Sequence, residues 1–442
     1  MGSQLRNKRG ITLIALVITI IVLLILAGVS ISMISSQDGI LGKATSAKDA
    51  QNKATEEEKE KLAIQAALID GEGTIDVSKL TEDSDIVKAY TDKGYTYKGE
   101  GTFVSKDGKE AISITESGEI EKAVIPAGFK YKEGTVNTGL VIENTKAGEF
   151  VWVPVPNAIY DGKTAITVGT YAPMARKIGE TENYQGVLYD LNQIKEKQKA
   201  YDLSKCGLGK TNYREPSLVT GSDNDTYALL DTIAGTNYDA KYYNLAGNYS
   251  DAKEFGKDMQ DEYNNMVKSV AKYGGFYVGR YETGIKEGKA VSKNASITDN
   301  NTATADASQT DTKMWYGLYN KQRTMAKDNG LDGVESSMIW GNQYSVMMIW
   351  MQKTGTKIGI GYDTSRRTAG ETVTGKSQND IINNVYDLYG CHHEWIMETV
   401  DINCRVFRGG DYNDSYAPGY RNSNVPSSAN SDYGSRLSLY IK

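Results

Sequence analysis

The run from Ile11 to Ile34, ITLIALVITIIVLLILAGVSISMI, carries no charged side chain. At ~1.5 Å per residue it extends roughly 36 Å as a helix, enough to cross a hydrocarbon core. A secretory signal has an apolar core of only about 7–15 residues, followed by a small-residue cleavage site. The run therefore predicts a transmembrane helix. Lys8 and Arg9 just before it predict that the N-terminus stays cytoplasmic.

A short basic leader, Gly10, a Thr12–Leu13 pair and the apolar run follow one another. This order resembles the class III leader of type IV pilins and pseudopilins. The resemblance implies a cut between Gly10 and Ile11 by a prepilin peptidase, methylation of the new N-terminus, and other pilin subunits or assembly machinery as partners. Most pilins have Glu as the fifth mature residue, whereas Ala15 stands here. A buried carboxylate that fixes register is thus absent. A minor subunit or a pilin-anchored protein fits better than a self-polymerising pilin.

Beyond Asp38–Gly39 the helical pattern continues. Leu41, Ala44, Ala47, Ala50 and Ala54 recur every three or four residues, followed by Leu62, Ala66 and Ile69. Glu57 and Lys61 sit four apart on a solvated face, and Gly71 and Gly73 end the helix. Residues 71–123 alternate β-formers with the turn signals SKDGKE and ESGE, predicting a small β-rich, pilin-like head. GEFVWVPV at 148–155 is a strong apolar strand. Residues 156–270 are polar and Tyr/Asn-rich and read as an insertion, and 296–313 reads as a surface loop.

Five pieces of the C-terminal half agree with one another. They are GGFYVGRYETG at 274–284, SSMIWGNQYSVMMIW at 336–350, NVYDLYGCHHEW at 384–395, FRGGDY at 407–412 and YGSRLSLYI at 433–441. In this order they resemble the formylglycine-generating-enzyme (sulfatase-modifying factor) family, whose fold is related to C-type lectins. Asn384, Asp387, Gly390, Glu394 and Trp395, with Arg408, Gly409 and Gly410, carry the match and are expected to hold the scaffold. Enzymes of that family hold copper with a cysteine pair shortly after the RGG turn. Here those positions are Asp414 and Gly419, neither of which supplies a thiolate. The resemblance then implies a scaffold without the family's oxidase chemistry.

Other chemistries are constrained by composition. The net charge of −6 disfavours a nucleic-acid partner, which needs a basic footprint. Only two histidines, His392 and His393, and three cysteines, Cys206, Cys391 and Cys404, are present, which leaves little room for a His-rich metal centre or a disulfide framework. HEWIME lacks the second histidine of a zinc-protease motif, so a structural or surface role is expected for His392 and His393. CGLGKT at 206–211 lacks the opening glycine of a phosphate loop, Ser204 standing there instead. Cys391 and Cys404 can pair in an oxidising setting. SDNDT at 222–226 reads as a solvated turn, with structural calcium as the sharper alternative.

The stretch from Ile402 to Ile441 contains no Lys, Glu, Gln, Met or Trp and is dominated by Asn, Ser, Tyr, Asp, Gly and Arg. Binding loops favour this alphabet, because Tyr gives rigid contact area and Ser, Gly and Asn give adaptable hydrogen bonds. In some relatives of this fold a retroelement diversifies such a region, and an ordinary polar loop is the plainer reading. The contact candidates are Tyr412, Asn413, Asp414, Tyr416, Tyr420, Arg421, Asn422 and Asn424.

The expectation is an α+β protein in four parts. Residues 1–10 form a leader and 11–70 a long N-terminal transmembrane and stalk helix. Residues 71–123 form the small head, and 124–442 a loop-rich, lectin-like domain with the insertion 156–270. It would be membrane-anchored at the cell surface or carried in a pilus. There it would bind an extracellular glycan or surface protein without catalysis, metal or cofactor. The rival readings are a structural pseudopilin and a membrane-anchored modifying enzyme with a relocated site.

Overall fold

The computed structural model describes most of residues 40–155, 245–294 and 314–442, together with 18, 20–23 and two short strands between 158 and 167. Gly10, Ile11 and Ala15, the 296–313 loop, the motifs at 206–211 and 222–226, and Cys206 and Cys404 lie outside the described residues.

Helix α1 spans Ile40–Asp70. It ends in a turn in which Glu72 N–H donates to Ile69 O and Gly73 N–H to Leu68 O, the paired bonds of a Schellman stop. Its last turns bury Ile64 against α2 (Asp85–Asp92) and a four-stranded antiparallel sheet. That sheet is built from β1 (Tyr95–Gly99), β2 (Thr102–Ser105), β3 (Glu110–Ile114) and β4 (Ile120–Val124). Tyr90 of α2 stacks on Phe103 at 4.6 Å, and Glu60 of α1 accepts from Lys93 at 2.7 Å.

The expected long N-terminal transmembrane helix is a correction. Among the described residues no helix is long and apolar enough to cross a membrane. Helix α1 fails physically because Lys43, Lys48, Asp49 and Lys53, then the run Glu56 to Lys61, put charge on nearly every turn. Most of the apolar run 11–34 lies outside the described residues; those of it that are described, 18 and 20–23, are helical with exposed side chains. The location at a membrane or cell surface rested on that helix and is withdrawn with it. The described fold is instead dominated by β-sheet: one six-stranded sheet, two four-stranded sheets and three two-stranded pieces.

The six-stranded sheet takes β5 (Lys130–Glu133), β6 (Val141–Asn144) and β7 (Gly148–Pro154) from the first half. After the β8–β9 hairpin (Ala158–Tyr160, Ala165–Thr167) and α3 (Ala252–Tyr273), β10 (Gly275–Gly279) pairs antiparallel with β7. The β11–β12 hairpin (Gly284–Lys286, Lys289–Val291) and α4 (Trp315–Asp328) follow, and β13 (Val334–Met338) forms the far edge of the sheet. Residues 148–155 are strand-forming because both faces of β7 are covered: Phe150, Val151, Trp152 and Val153 are all fully buried. The small N-terminal sheet shares this core, since Val104, Ala111 and Ala123 pack in one cluster with Phe150, Val334 and Leu439.

Helix α5 (Gly341–Lys353) buries Tyr344, Met347, Met348, Trp350 and Met351 in the largest cluster. Beyond it come the β14–β15 hairpin (Ile381–Ile382, Val385–Tyr386) and a second four-stranded sheet. That sheet orders β18 (Arg421–Asn424), β17 (Arg405–Arg408), β16 (His393–Thr399) and β19 (Tyr433–Ser435), with β16 and β19 parallel. The chain closes with β20 (Leu437–Ile441), inserted between β13 and β10. The step from β19 to β20 therefore ties the two sheets together through a single residue, Arg436.

Candidate functional site

Strand alternation sets the chemistry of β16. Successive side chains point to opposite faces, so Glu394 turns one way and His393 and Trp395 the other. Glu394 meets Arg436, whose Nε donates to both carboxylate oxygens at 2.9 and 3.2 Å and whose Nη2 donates to Oε1. Arg436 also caps the carbonyls of Gly279 and Tyr386. Burial raises the Glu394 carboxyl to about 7, with Arg436 offsetting part of the rise. On the other face His393 and Trp395 share an aromatic wall with Phe407 and Tyr433.

The approach to this sheet is a chain of strained or capped turns. Asn383 and Asn384 both have positive φ at the β14–β15 turn, and Asn384 Nδ2 donates to Gly139 O at 2.7 Å. Asp387 Oδ2 accepts from Thr374 Oγ1 and Gly375 N–H, both at 2.6 Å. Asp380 accepts from the N–H groups of Leu388 and Tyr389, and the backbone of Gly390 also bonds to it. Arg408 is fully buried, with its guanidinium over the Tyr344 ring. Gly409 takes φ +77, and a Cβ at Gly410 would lie 2.2 Å from Tyr389 O. The scaffold candidates thus occupy buried or backbone-critical positions around one turn.

The contact candidates gather beyond that turn. Tyr416 and Tyr420 stack face to face at 3.7 Å with their planes 8° apart. Both are half-buried, while Asn413, Asp414 and Asn422 are exposed. Asn422 Nδ2 donates to Tyr420 Oη, Asn424 Nδ2 to Tyr433 Oη, and Tyr412 Oη meets Ser431 Oγ at 2.9 Å. Burial pushes the Tyr420 phenol up to about 12. Arg421 lies in β18, paired with Arg408 of β17.

Residues that the sequence reading assigned no function close the inner wall. His393 lies 4.8 Å from Phe407, 6.0 Å from Tyr420 and 6.4 Å from Tyr416, between ring centroids. Asp411 is buried beside it, and its Oδ1 accepts the N–H groups of Asn413, at 2.9 Å, and of Asp414. Burial raises the Asp411 carboxyl, and the Asp414 N–H and then His393 offset part of that. His393, Asp411 and Asp414 have ligand atoms within 4.8 Å of one another, and so do Glu282, Cys391 and His392. In the second group His392 Nδ1 already meets Glu282 Oε2 at 2.7 Å and Cys391 Sγ at 3.2 Å, and Glu282 Oε1 accepts His392 N–H. The HHEW run held the signal, since in a strand its second histidine shares a face with the Trp.

A separate cavity of about 380 Å³ is lined by α3, α4 and β13, including Asp258, Glu262, Arg323 and Glu335. Its polar groups are mutually engaged: Arg323 pairs with Asp258, and Glu262 accepts from Tyr319 and Ser337. None of the contact candidates lines it.

No protein family and no curated protein matches the chain. Two solved structures match in part. "Crystal Structure of CarF" matches at 17% identity over 24% of this chain and 48% of that one, with a TM-score of 0.19. Treponema denticola variable protein 1 matches at 13% identity over 75% of this chain and 99% of that one, with a TM-score of 0.21. The chain spans about half the length of the first. At such TM-scores neither likeness establishes a fold family, so the leader and lectin-like resemblances are not shown by comparison.

Proposed function

We propose that the loops between the Gly409–Gly410 turn and β19 form the binding face of a non-catalytic module, and that its ligand is a glycan. The observation that carries the reading is the half-buried Tyr416–Tyr420 stack bordered by exposed Asn413, Asp414 and Asn422. A pyranose ring has an apolar C–H face and a hydroxyl rim. The aromatic surface suits the first, and amides and a carboxylate suit the second. The rigid stack limits the entropy lost on binding. Asp414 and Gly419, where the formylglycine-enzyme resemblance would put cysteines, support a reading without that catalysis.

The test is a glycan array probed with the full chain. Retention on a defined glycan class is expected, together with loss of at least tenfold in apparent affinity in Tyr416→Ala and in the Asn413→Ala/Asn422→Ala double variant. The double variant alters only exposed side chains and keeps its melting temperature. No retention above a carrier control, or retention unchanged in both variants, defeats the reading. Retention on a protein array alone replaces the glycan with a protein partner.

A further inference from the structure

We infer that the glycan held at the Tyr416–Tyr420 face carries a free amine, which makes the ligand class an amino sugar and not a neutral or acidic one. The inference rests on the glycan reading and adds the charge of the sugar to it. Between Gly409 and Tyr433 the chain carries Asp411, Asp414 and Asp432 against Arg421 alone, with no lysine. Asp414 is exposed and Asp432 half-buried. Among the described residues neither forms an ion pair. Both lie beside rings of the aromatic wall. Burial is the main cause that raises the Tyr420 and Tyr433 phenols, and the carboxylates of Asp414 and Asp432, respectively, add to the rise. The loop whose Gly370 N–H donates to Tyr412 O carries Arg366, but that guanidinium is turned to Ile381 O at 3.0 Å.

Two attractions converge on a cation placed at this face. The face of a tyrosine ring carries the negative lobe of its quadrupole and attracts an ammonium within ~6 Å of the ring centroid. The stack holds two such rings 3.7 Å apart. Asp414 adds a full negative charge that accepts an N–H from the same ammonium. Its position is set in advance, because its backbone N–H donates to Asp411 Oδ1 and its C=O accepts from Asp411 N–H. A neutral sugar can lay its C–H groups on the ring but offers Asp414 only a hydroxyl. A sulfated, sialylated or uronate sugar brings like charge to Asp414 and Asp432 and is repelled.

The test titrates the full chain, in low salt and mild acid, with tetrasaccharides of glucosamine and of galactosamine. Each is offered as the free amine and as its N-acetylated counterpart, with a uronate-containing tetrasaccharide alongside. The free-amine form is expected to bind about tenfold more tightly than the N-acetylated form, the joint size of one exposed ion pair and one cation–π contact. The uronate form should bind most weakly. Asp414→Asn, at an exposed position, should keep its melting temperature and bring the preference below about threefold. Glu119→Gln, an exposed carboxylate on the turn between β3 and β4, should leave the preference unchanged. Added salt should shrink it in the wild type. Equal or tighter binding of the N-acetylated or uronate form overturns the inference and leaves the glycan reading standing. So does a preference undiminished in Asp414→Asn, or one lost equally in Glu119→Gln. Binding of no tetrasaccharide, while a glycan array retains the chain on another class, also removes only the amine, and no retention on any glycan removes both.

Discussion

Arg436 lies fully buried between the two main sheets and grips the equally buried Glu394 through Nε and Nη2. Removing one partner of such a pair leaves an uncompensated charge in the interior, at a cost of about 3–5 kcal/mol. Arg436→Met is expected to lose stability on that scale in urea denaturation. Because Arg436 also donates to the backbone carbonyls of Gly279, Arg280 and Tyr386, Glu394→Gln should cost less than Arg436→Met. The double variant should be more stable than the sum of the single losses. A loss below about 1 kcal/mol in Arg436→Met would show that the pair does not join the sheets.

Trp395 is fully buried and packs on Phe407 and Tyr433 at 5.8 and 4.7 Å. Trp395→Ala should cost roughly 3–5 kcal/mol through loss of buried area and the cavity left behind. Tyr420→Ala should cost about 1–3 kcal/mol, because the half-buried ring leaves both a stack and the wall beside His393. Asn413→Ala should stay within about 0.5 kcal/mol. Chemical denaturation of the three variants checks this order, and an Asn413→Ala loss equal to that of Trp395→Ala would invert the division between scaffold and contact face.

Local periodicity made parts of this architecture readable. The alanine spacing of α1, the apolar run of β7 and the Gly-bearing turns between β2, β3 and β4 each satisfy a short-range rule. The transmembrane expectation rested on one such rule, the uncharged run 11–34, extended into a helix whose charged turns do not obey it. The site was legible only in halves. The composition of 402–441 marked Tyr416, Tyr420 and Asn422, while His393 looked structural because HEWIME lacks the second histidine of a zinc-protease motif. Its meeting with Asp411 depends on the β16–β17 register, Glu394 opposite Arg408, which no local pattern encodes. Asp411 was likewise hidden, since only the folded turn brings the N–H groups of Asn413 and Asp414 onto its Oδ1.

Asp414 and Gly419 stand where the formylglycine-enzyme resemblance would require thiolates. The full chain is expected not to convert a cysteine peptide carrying a sulfatase motif in the presence of copper and oxygen. Mass spectrometry of the peptide after incubation is the readout. Conversion above a protein-free control would mean that another group, with Cys391 the first to examine, carries the chemistry.

Glu262 gives the clearest pH dependence. Burial raises its carboxyl from 4.5 to about 8, and the hydrogen bonds from Ser337 and Tyr319 lower it only in part. The folded state thus holds this proton more tightly than the unfolded chain. Below about pH 4.5 both states are protonated and the contribution is fully present. Between 4.5 and 8 the unfolded chain releases its proton and the folded one does not, so stability falls as pH rises. The fall levels off once the folded carboxyl also ionises, near pH 8. Asp380 and Glu394, each raised to about 7, slope the same way, so the wild-type curve alone cannot isolate Glu262. Glu262→Gln removes the titration while keeping an oxygen to accept from one of the Tyr319 and Ser337 hydroxyls and an amide N–H to donate to the other. The stability difference between variant and wild type should therefore grow in the variant's favour from pH 5 to 8, by a few kcal/mol at most. A difference that stays flat across that range would mean that the carboxyl is solvated through the adjoining cavity and titrates near its ordinary value.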